Sequence, residues 1–264
     1  MRMSHVLDAV LADLSAESEV LEAMVSGLDD DGWRTPTPAA GWTVATQIAH
    51  LAWTDEAAVA AATDREAWEA LVRRALGDPE GVVDLEAHNG AAVAPADLLA
   101  RWVTARTAVP QALRDYPDGQ KVPWFGPSMS PTSMATARFM ETWAHALDVA
   151  EALGIEVEPT DRIRHVAHIG VRTRNFAMGL HGLEPPAGEF RIELTAPSGE
   201  MWTWGPEDAA QSVRGPAYDF CLRVTQRRHR DDLSLVAAGS DADRWLDVAQ
   251  TFAGPPGGGR EARA

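Results

Sequence analysis

Between Ser4 and Leu28 apolar residues recur at Val6, Leu7, Val10, Leu11, Leu14, Val20, Leu21, Met24, Val25 and Leu28, with acids on the opposite side. That spacing predicts an amphipathic helix ending between Gly27 and Gly32. Trp33-Arg34-Thr35-Pro36-Thr37-Pro38 is too rich in proline to be helical and predicts a loop, after which Thr43 caps a second apolar helix that carries His50. A shorter helical piece follows from Thr63 to Leu76. Pro95-Ala96-Asp97 opens another helix, which runs through Leu98, Leu99, Trp102, Ala105 and Val109 to about Tyr116 with a kink expected at Pro110. Pro117 to Pro131 is dense in Pro and Gly and reads as a loop. Pro131-Thr132 then starts a long helix that stops at Gly154.

Beyond that point the periodicity changes. Ile155 to Thr160 is short, acidic and contains proline, and reads as a linker. A helix is expected from Asp161 to about His181. Phe190-Arg191-Ile192-Glu193-Leu194-Thr195 then alternates as a strand, and Met201-Trp202-Thr203-Trp204, after Ser198-Gly199, reads as its hairpin partner. Leu233 to Val236 suggests a further strand, Asp241 to Phe252 a final helix, and Gly254 onward a flexible tail. The expected fold class is α+β: a four-helix bundle over 1–155, a smaller α/β domain over 156–253 and a tail over 254–264. No internal repeat is evident.

At 264 residues and 45% hydrophobic content the chain can bury a substantial core. Its formal charge of −16 argues against a broad electrostatic grip on nucleic acid or an anionic membrane, because phosphate binding needs clustered Lys and Arg. Lys121 is the only lysine, and the arginine and alanine bias suggests a GC-rich bacterial genome. The single cysteine, Cys221, excludes an internal disulfide and any cysteine-cluster metal site, which points to a reducing cytoplasm. The N-terminal stretch never becomes the apolar core of a signal peptide, and no segment has the apolar length to span a bilayer. A monomer and a homodimer both remain open.

Glu141-Thr142-Trp143-Ala144-His145 places a carboxylate and an imidazole four residues apart on a predicted helix, so both project from one face about one turn apart. That is a metal-ligand spacing. A third ligand is needed, and His50 is the best candidate. The three would form a His2Glu set with open positions, the pattern of a catalytic zinc site rather than a closed structural one. A lone histidine on an apolar helix is more often a hydrogen-bonded core residue, but a glutamate in a bundle core is costly unless a metal or a paired charge compensates it. Zinc is the expected ion, although the ligand set also suits nickel, iron or manganese.

The Gly41-Trp42-Thr43 and Gln47-Ile48-Ala49-His50-Leu51 stretches, with Glu141-x3-His145-x2-Asp148, resemble the DinB-like metal-binding superfamily and, within it, the mycothiol-dependent maleylpyruvate isomerase group. Pro123-Trp124-Phe125-Gly126-Pro127 is similar to an actinobacterial subgroup described only as metal-binding. The resemblance spans nearly the whole chain. It implies a divalent metal held by His50, Glu141 and His145 in a DinB-like four-helix bundle, a sterol-carrier-like second domain, and mycothiol as a co-substrate. Arg227 matches best the place of a functional arginine of the group, where a guanidinium could clamp an anionic group; Gln226 departs from the usual Gly-Arg, and Arg228 is a rival cation.

Asp148 shares the helical stripe of Glu141 and His145, so it is a candidate catalytic base or imidazole orienter, against a solvated acid at the bundle end. Trp124 and Phe125, in a Pro/Gly loop, are expected to line a substrate pocket, whereas Trp42, Trp53 and Trp143 could add to its wall but read as core. Cys221 sits in an apolar helical context and reads as core filler, so a reacting thiol would come from outside. His165 and His168 read as packing residues. The expected function is mycothiol-linked metalloenzyme chemistry, an isomerase or S-transferase acting on a small electrophile. The alternatives are a thiol-independent metal-dependent hydrolase or cyclase and a non-catalytic metal-binding module. The expected partners are a small-molecule substrate and mycothiol.

Overall fold

The structure, a computed structural model, describes residues 2–79, 81–254, 256–257 and 259–263. The chain divides into two compact units, Met1–Val157 and Glu158–Ala264. The first is helical: α1 (Arg2–Val25), α2 (Asp30–Trp33), α3 (Val44–Thr63), α4 (Arg65–Gly77), α5 (Val82–Gly90), α6 (Pro95–Arg114) and α7 (Pro131–Leu153).

The long helices α1, α3, α6 and α7 make the bundle, with α3 against α6 and α7, and α1 against α7 and α6. Leu21 and Val25 of α1, Ile48, Leu51 and Ala52 of α3, Leu98 and Trp102 of α6, and Ala146 and Val149 of α7 meet in one buried cluster. Full burial of each large apolar side chain stabilises the fold by about 1.5–3 kcal/mol. Helix α3 is buried on most of its circumference, as expected of a helix whose apolar residues are not confined to one stripe.

The helix ends follow local chemistry. Thr43 and Thr46 form a reciprocal capping box at the start of α3, with Thr43 N donating to Thr46 Oγ1 at 2.6 Å. At α7, Ser130 Oγ accepts from Ser133 N at 3.1 Å, Pro131 opens the first turn, and Gly154 closes the last with φ 66°. Helix α6 continues through Pro110 to Arg114, close to the expected end.

Two helices depart from the sequence expectation. Asp29 caps the single turn α2, which lies where the first helix was expected to end and reaches only the first residue of the expected loop, Trp33; its side chain accepts from Gly32 N at 2.9 Å. Helix α5 has no apolar stripe to announce it, because its buried residues are only Val82, Ala87 and Gly90. It packs closely on α3: a Cβ at Gly90 would lie 2.9 Å from the Ala49 Cβ.

In the second unit, the expected helix from Asp161 is a 3-10 turn (Asp161–Ile163), α8 (Arg164–Arg172) and α9 (Arg174–Leu180). The break falls at Thr173, whose hydroxyl bonds to Gln250 O at 2.9 Å as well as to its own helix. Then come β1 (Arg191–Thr195), β2 (Met201–Trp204), β3 (Ser212–Pro216), α10 (Ala217–Val224), β4 (Val236–Ala238) and α11 (Ser240–Val248). The sheet order is β2-β1-β3-β4; β1 pairs antiparallel with β2 and parallel with β3, and β3 pairs antiparallel with β4. The β1–β2 hairpin is as expected, with Leu194 opposite Trp202.

Strand β3 has no counterpart in the sequence expectation, and its Gly215 and Pro216 do not favour a strand. Gly215 is needed there because a Cβ would lie 2.5 Å from Ser234 O. Ile192, Leu194, Trp202 and Val213 are buried, as are Phe220 of α10 and Trp245 of α11. Strand β4 lies later than Leu233–Val236, and α11 ends at Val248 rather than Phe252. The buried Arg223 closes α11, its Nε and Nη2 donating to Leu246 O and Asp247 O at 2.6 and 2.7 Å. The described residues from 254 onward form no helix or strand; positions 255, 258 and 264 of the expected tail lie outside the described residues. Among the described residues no helix is long and apolar enough to cross a membrane.

Candidate metal centre

Because α3 is capped at Thr43, His50 lies about two turns into the helix, on the side that meets α7. On α7, Glu141 and His145 stand one turn apart, so both can address the same point. His50 Nε2 lies 3.4 Å and His145 Nε2 3.2 Å from Glu141 Oε2. One ligand-type atom from each of the three residues lies within 4.8 Å of the others. The imidazole rings are 4.6 Å apart between centroids.

Two ligand atoms, each about 2.0–2.1 Å from a tetrahedrally bound zinc, stand about 3.3 Å apart. The separations of Glu141 from the two imidazoles match that value. Burial alone would push the Glu141 carboxyl up, yet hydrogen bonding and charge from His145 and His50 hold it well below the usual carboxylate range. No Lys or Arg pairs with it among the described residues, and the two histidines are its partners. The residues fit a divalent ion.

Around this trio lies polar support that sequence reasoning missed. His145 Nδ1 hydrogen bonds with Gln47 Oε1. Gln47 Nε2 donates to Thr37 Oγ1 at 2.8 Å, and Thr37 Oγ1 donates to Trp42 O at 3.1 Å. The Trp42 ring stacks on His145 with centroids 5.9 Å apart and an interplanar angle of 14°, while its Nε1 donates to Asp84 Oδ1 of α5 at 2.9 Å. By contrast, His50 Nδ1 is buried with no hydrogen-bond partner among the described residues. The one available signal for Gln47 was an amide three residues before His50 in an otherwise apolar helix.

Five residues after His50, Asp55 accepts from Arg138 Nε of α7 at 2.8 Å, and both side chains are almost fully buried. Burial pushes the Asp55 carboxyl up, against the pull of Arg138. Each was visible as a charge in an apolar helix, but a pairing across 83 residues was not.

The expected aromatic pocket residues do come together. The loop from 115 to 130 is closed by two backbone hydrogen bonds between Val122 and Met129 and presents Trp124 and Phe125. Phe125 stacks on Trp53 at 5.7 Å, Trp124 stacks on Trp68 at 6.0 Å, and Trp53 lies 6.3 Å from the His50 ring. An aromatic wall thus runs from α4 to the His50, Glu141 and His145 cluster.

Asp148 is buried rather than solvated, with 2% of its surface exposed. In the second unit, Arg227 and Arg228 are half-buried in the turn after α10; Arg227 Nη1 donates to Thr225 O at 2.8 Å, and Gln226 holds a left-handed φ of 59°. Cys221 is fully buried and burial pushes its thiol well up, which leaves it inert, as expected of core filler. His168 accepts from Trp204 Nε1 at 3.3 Å, in keeping with packing.

The model of a family described as the mycothiol maleylpyruvate isomerase N-terminal domain matches residues 14–150, a span that includes His50, Glu141 and His145. A second family model, described as wyosine base formation, matches residues 186–238. Two relatives, named as uncharacterized proteins of two strains of Mycobacterium tuberculosis, are each 54% identical over 250 residues, 95% of this chain and 97% of theirs. Crystal structures of the mycothiol-dependent maleylpyruvate isomerase and of a histidine-to-alanine mutant of it superpose with TM-score 0.56 at 16% identity, over 88% of this chain and 92% of theirs. At that identity the likeness is one of fold.

Proposed function

The chain belongs to the mycothiol maleylpyruvate isomerase N-terminal domain family, and from that premise we propose that it is a divalent-metal enzyme of mycothiol-linked chemistry, an isomerase or S-transferase acting on a small electrophile. The observation that carries this reading is the convergence of His50, Glu141 and His145 on one point of the bundle. In the proposed enzyme these three residues hold the ion, with zinc as the natural occupant of a His2Glu set. A divalent ion bound there supplies Lewis acidity, lowering the pKa of a thiol or water that reaches it.

The chain's own residues do the rest. Trp42 covers one face of His145, and the Trp53, Trp68, Trp124 and Phe125 wall excludes water and takes the apolar part of a small substrate. Asp148, buried on α7 one turn beyond His145, is the proposed proton acceptor. Arg227, with Arg228 beside it, is proposed to hold the polar end of the thiol. Cys221 is buried and takes no part; the nucleophilic sulfur in the proposed reaction is that of mycothiol, and the proposed setting is a reducing cytoplasm.

Calorimetric titration of zinc-loaded protein with mycothiol tests the reading, with binding at or below millimolar thiol expected. Failure to bind at that concentration would remove the thiol and leave a water-using hydrolase or cyclase. A protein that binds no divalent metal would remove the enzyme reading itself.

A further inference from the structure

Gln47 is fully buried, and its hydrogen-bond network fixes which way its amide faces. Thr37 Oγ1 has one proton, which it donates to Trp42 O at 3.1 Å; Thr37 N donates to the same carbonyl at 2.8 Å. Toward Gln47 that hydroxyl can therefore only accept. The NH2 of the amide must face Thr37, at 2.8 Å, and its oxygen must face His145 Nδ1. An oxygen acceptor at Nδ1 requires a proton on Nδ1, and a neutral imidazole protonated there has its lone pair on Nε2. Nε2 is the atom that faces Glu141: in the metal-free protein it donates to that carboxylate only from a doubly protonated ring, whereas with an ion in place between them it offers the lone pair.

The direction of this relay is set at its far end by a backbone carbonyl, which cannot reverse its role. The same residue that supplies the carbonyl, Trp42, also stacks its ring on His145. His50 has no such support, since its Nδ1 meets no partner among the described residues. We propose that Gln47 is a positioning residue: anchored by Thr37 and the Trp42 carbonyl, it presets His145 with its proton on Nδ1 and its Nε2 free to ligate, and it leaves His50 as the adaptable ligand. This rests on the metal-site reading above and goes beyond it, because it assigns unequal roles to two imidazoles that the ligand set treats alike.

Zinc affinity, measured by competition with a chromophoric chelator, and the 15N-correlated ring protons of His145 in zinc-loaded protein test it together. Gln47→Leu removes the acceptor and should weaken zinc roughly 10- to 100-fold, the usual effect of losing a group that orients a metal-bound histidine. The protected Nδ1–H resonance of His145, present in the parent, should disappear or exchange rapidly. Gln47→Glu restores an acceptor and should recover both the resonance and most of the affinity. A purely structural glutamine would lower folding stability in both variants without this split.

Thr37→Val, in a half-buried loop position, frees the amide to turn and should give a smaller loss in the same direction; it decides the matter if Gln47→Leu does not fold. Parent-like affinity with a retained Nδ1–H in Gln47→Leu would overturn the proposal, as would parent-like affinity in Thr37→Val should that variant have to decide. Absence of zinc binding by the parent would instead sink the metal-site reading and this inference with it, an outcome distinguishable because it appears before any substitution.

Discussion

His50, Glu141 and His145 each supply one of three convergent ligand atoms, so no pair of them retains the set. His50→Ala, Glu141→Gln and His145→Ala should each remove most bound metal by element analysis, whereas Asp148→Asn should keep the metal and lower turnover. Glu141 also brings a pH dependence. Its folded pKa is depressed by the two imidazoles, so the stability it contributes is present above its unfolded value of about 4.3 and drains away as pH falls below that. Metal-free Glu141→Gln should therefore lose less urea stability than the parent as pH drops from about 5 to about 3. The Asp55–Arg138 pair behaves differently because its members are not equivalent when stranded. A stranded Asp55 can shed its charge by taking a proton, whereas a stranded Arg138 cannot lose one. Asp55→Asn should cost about 3–5 kcal/mol in urea unfolding and Arg138→Met less.

Helix α8 sits on α10 through Gly170, where a Cβ would come within 2.9 Å of Val224 Cγ2 and 3.1 Å of Phe220. Gly170→Ala gains about 1 kcal/mol of helix propensity but overpacks a short, stiff neighbour at about 1–3 kcal/mol. A net loss of up to about 2 kcal/mol is expected, read as a lowered melting temperature. The elements that sequence reasoning found carry their own local signal, an apolar stripe in α1, alternation in β1, and punctuation at Thr43 before α3, Pro131 at the start of α7 and Gly154 after it. The Glu141 and His145 spacing was legible for the same reason, since one helix sets it. What escaped was non-local. Helix α5 exists by packing on α3, and β3 by pairing in parallel with β1. Gln47 and His145 are 98 residues apart, and no local pattern marks them as partners.

Across the whole molecule, the chain carries a formal charge of −16, and any anionic ligand must approach against that field. Association with an anionic substrate should therefore speed up as salt rises toward physiological strength, a trend stopped-flow mixing would resolve and one opposite to that of a protein steering anions inward. Arg227→Ala should weaken thiol binding by an amount on the order of 1.5–3 kcal/mol with metal content unchanged, checked by calorimetry and element analysis. The bond that closes the cluster, from His50 to Glu141, joins positions 91 residues apart. During synthesis on the ribosome, His50 therefore emerges long before either of its fellow ligands exists, and a growing chain has no three-ligand set with which to draw ions from the cell's pool. On the proposed reading, metal acquisition waits until α7 has been made, so a bound ion would enter a nearly finished bundle and not a tether of exposed histidines.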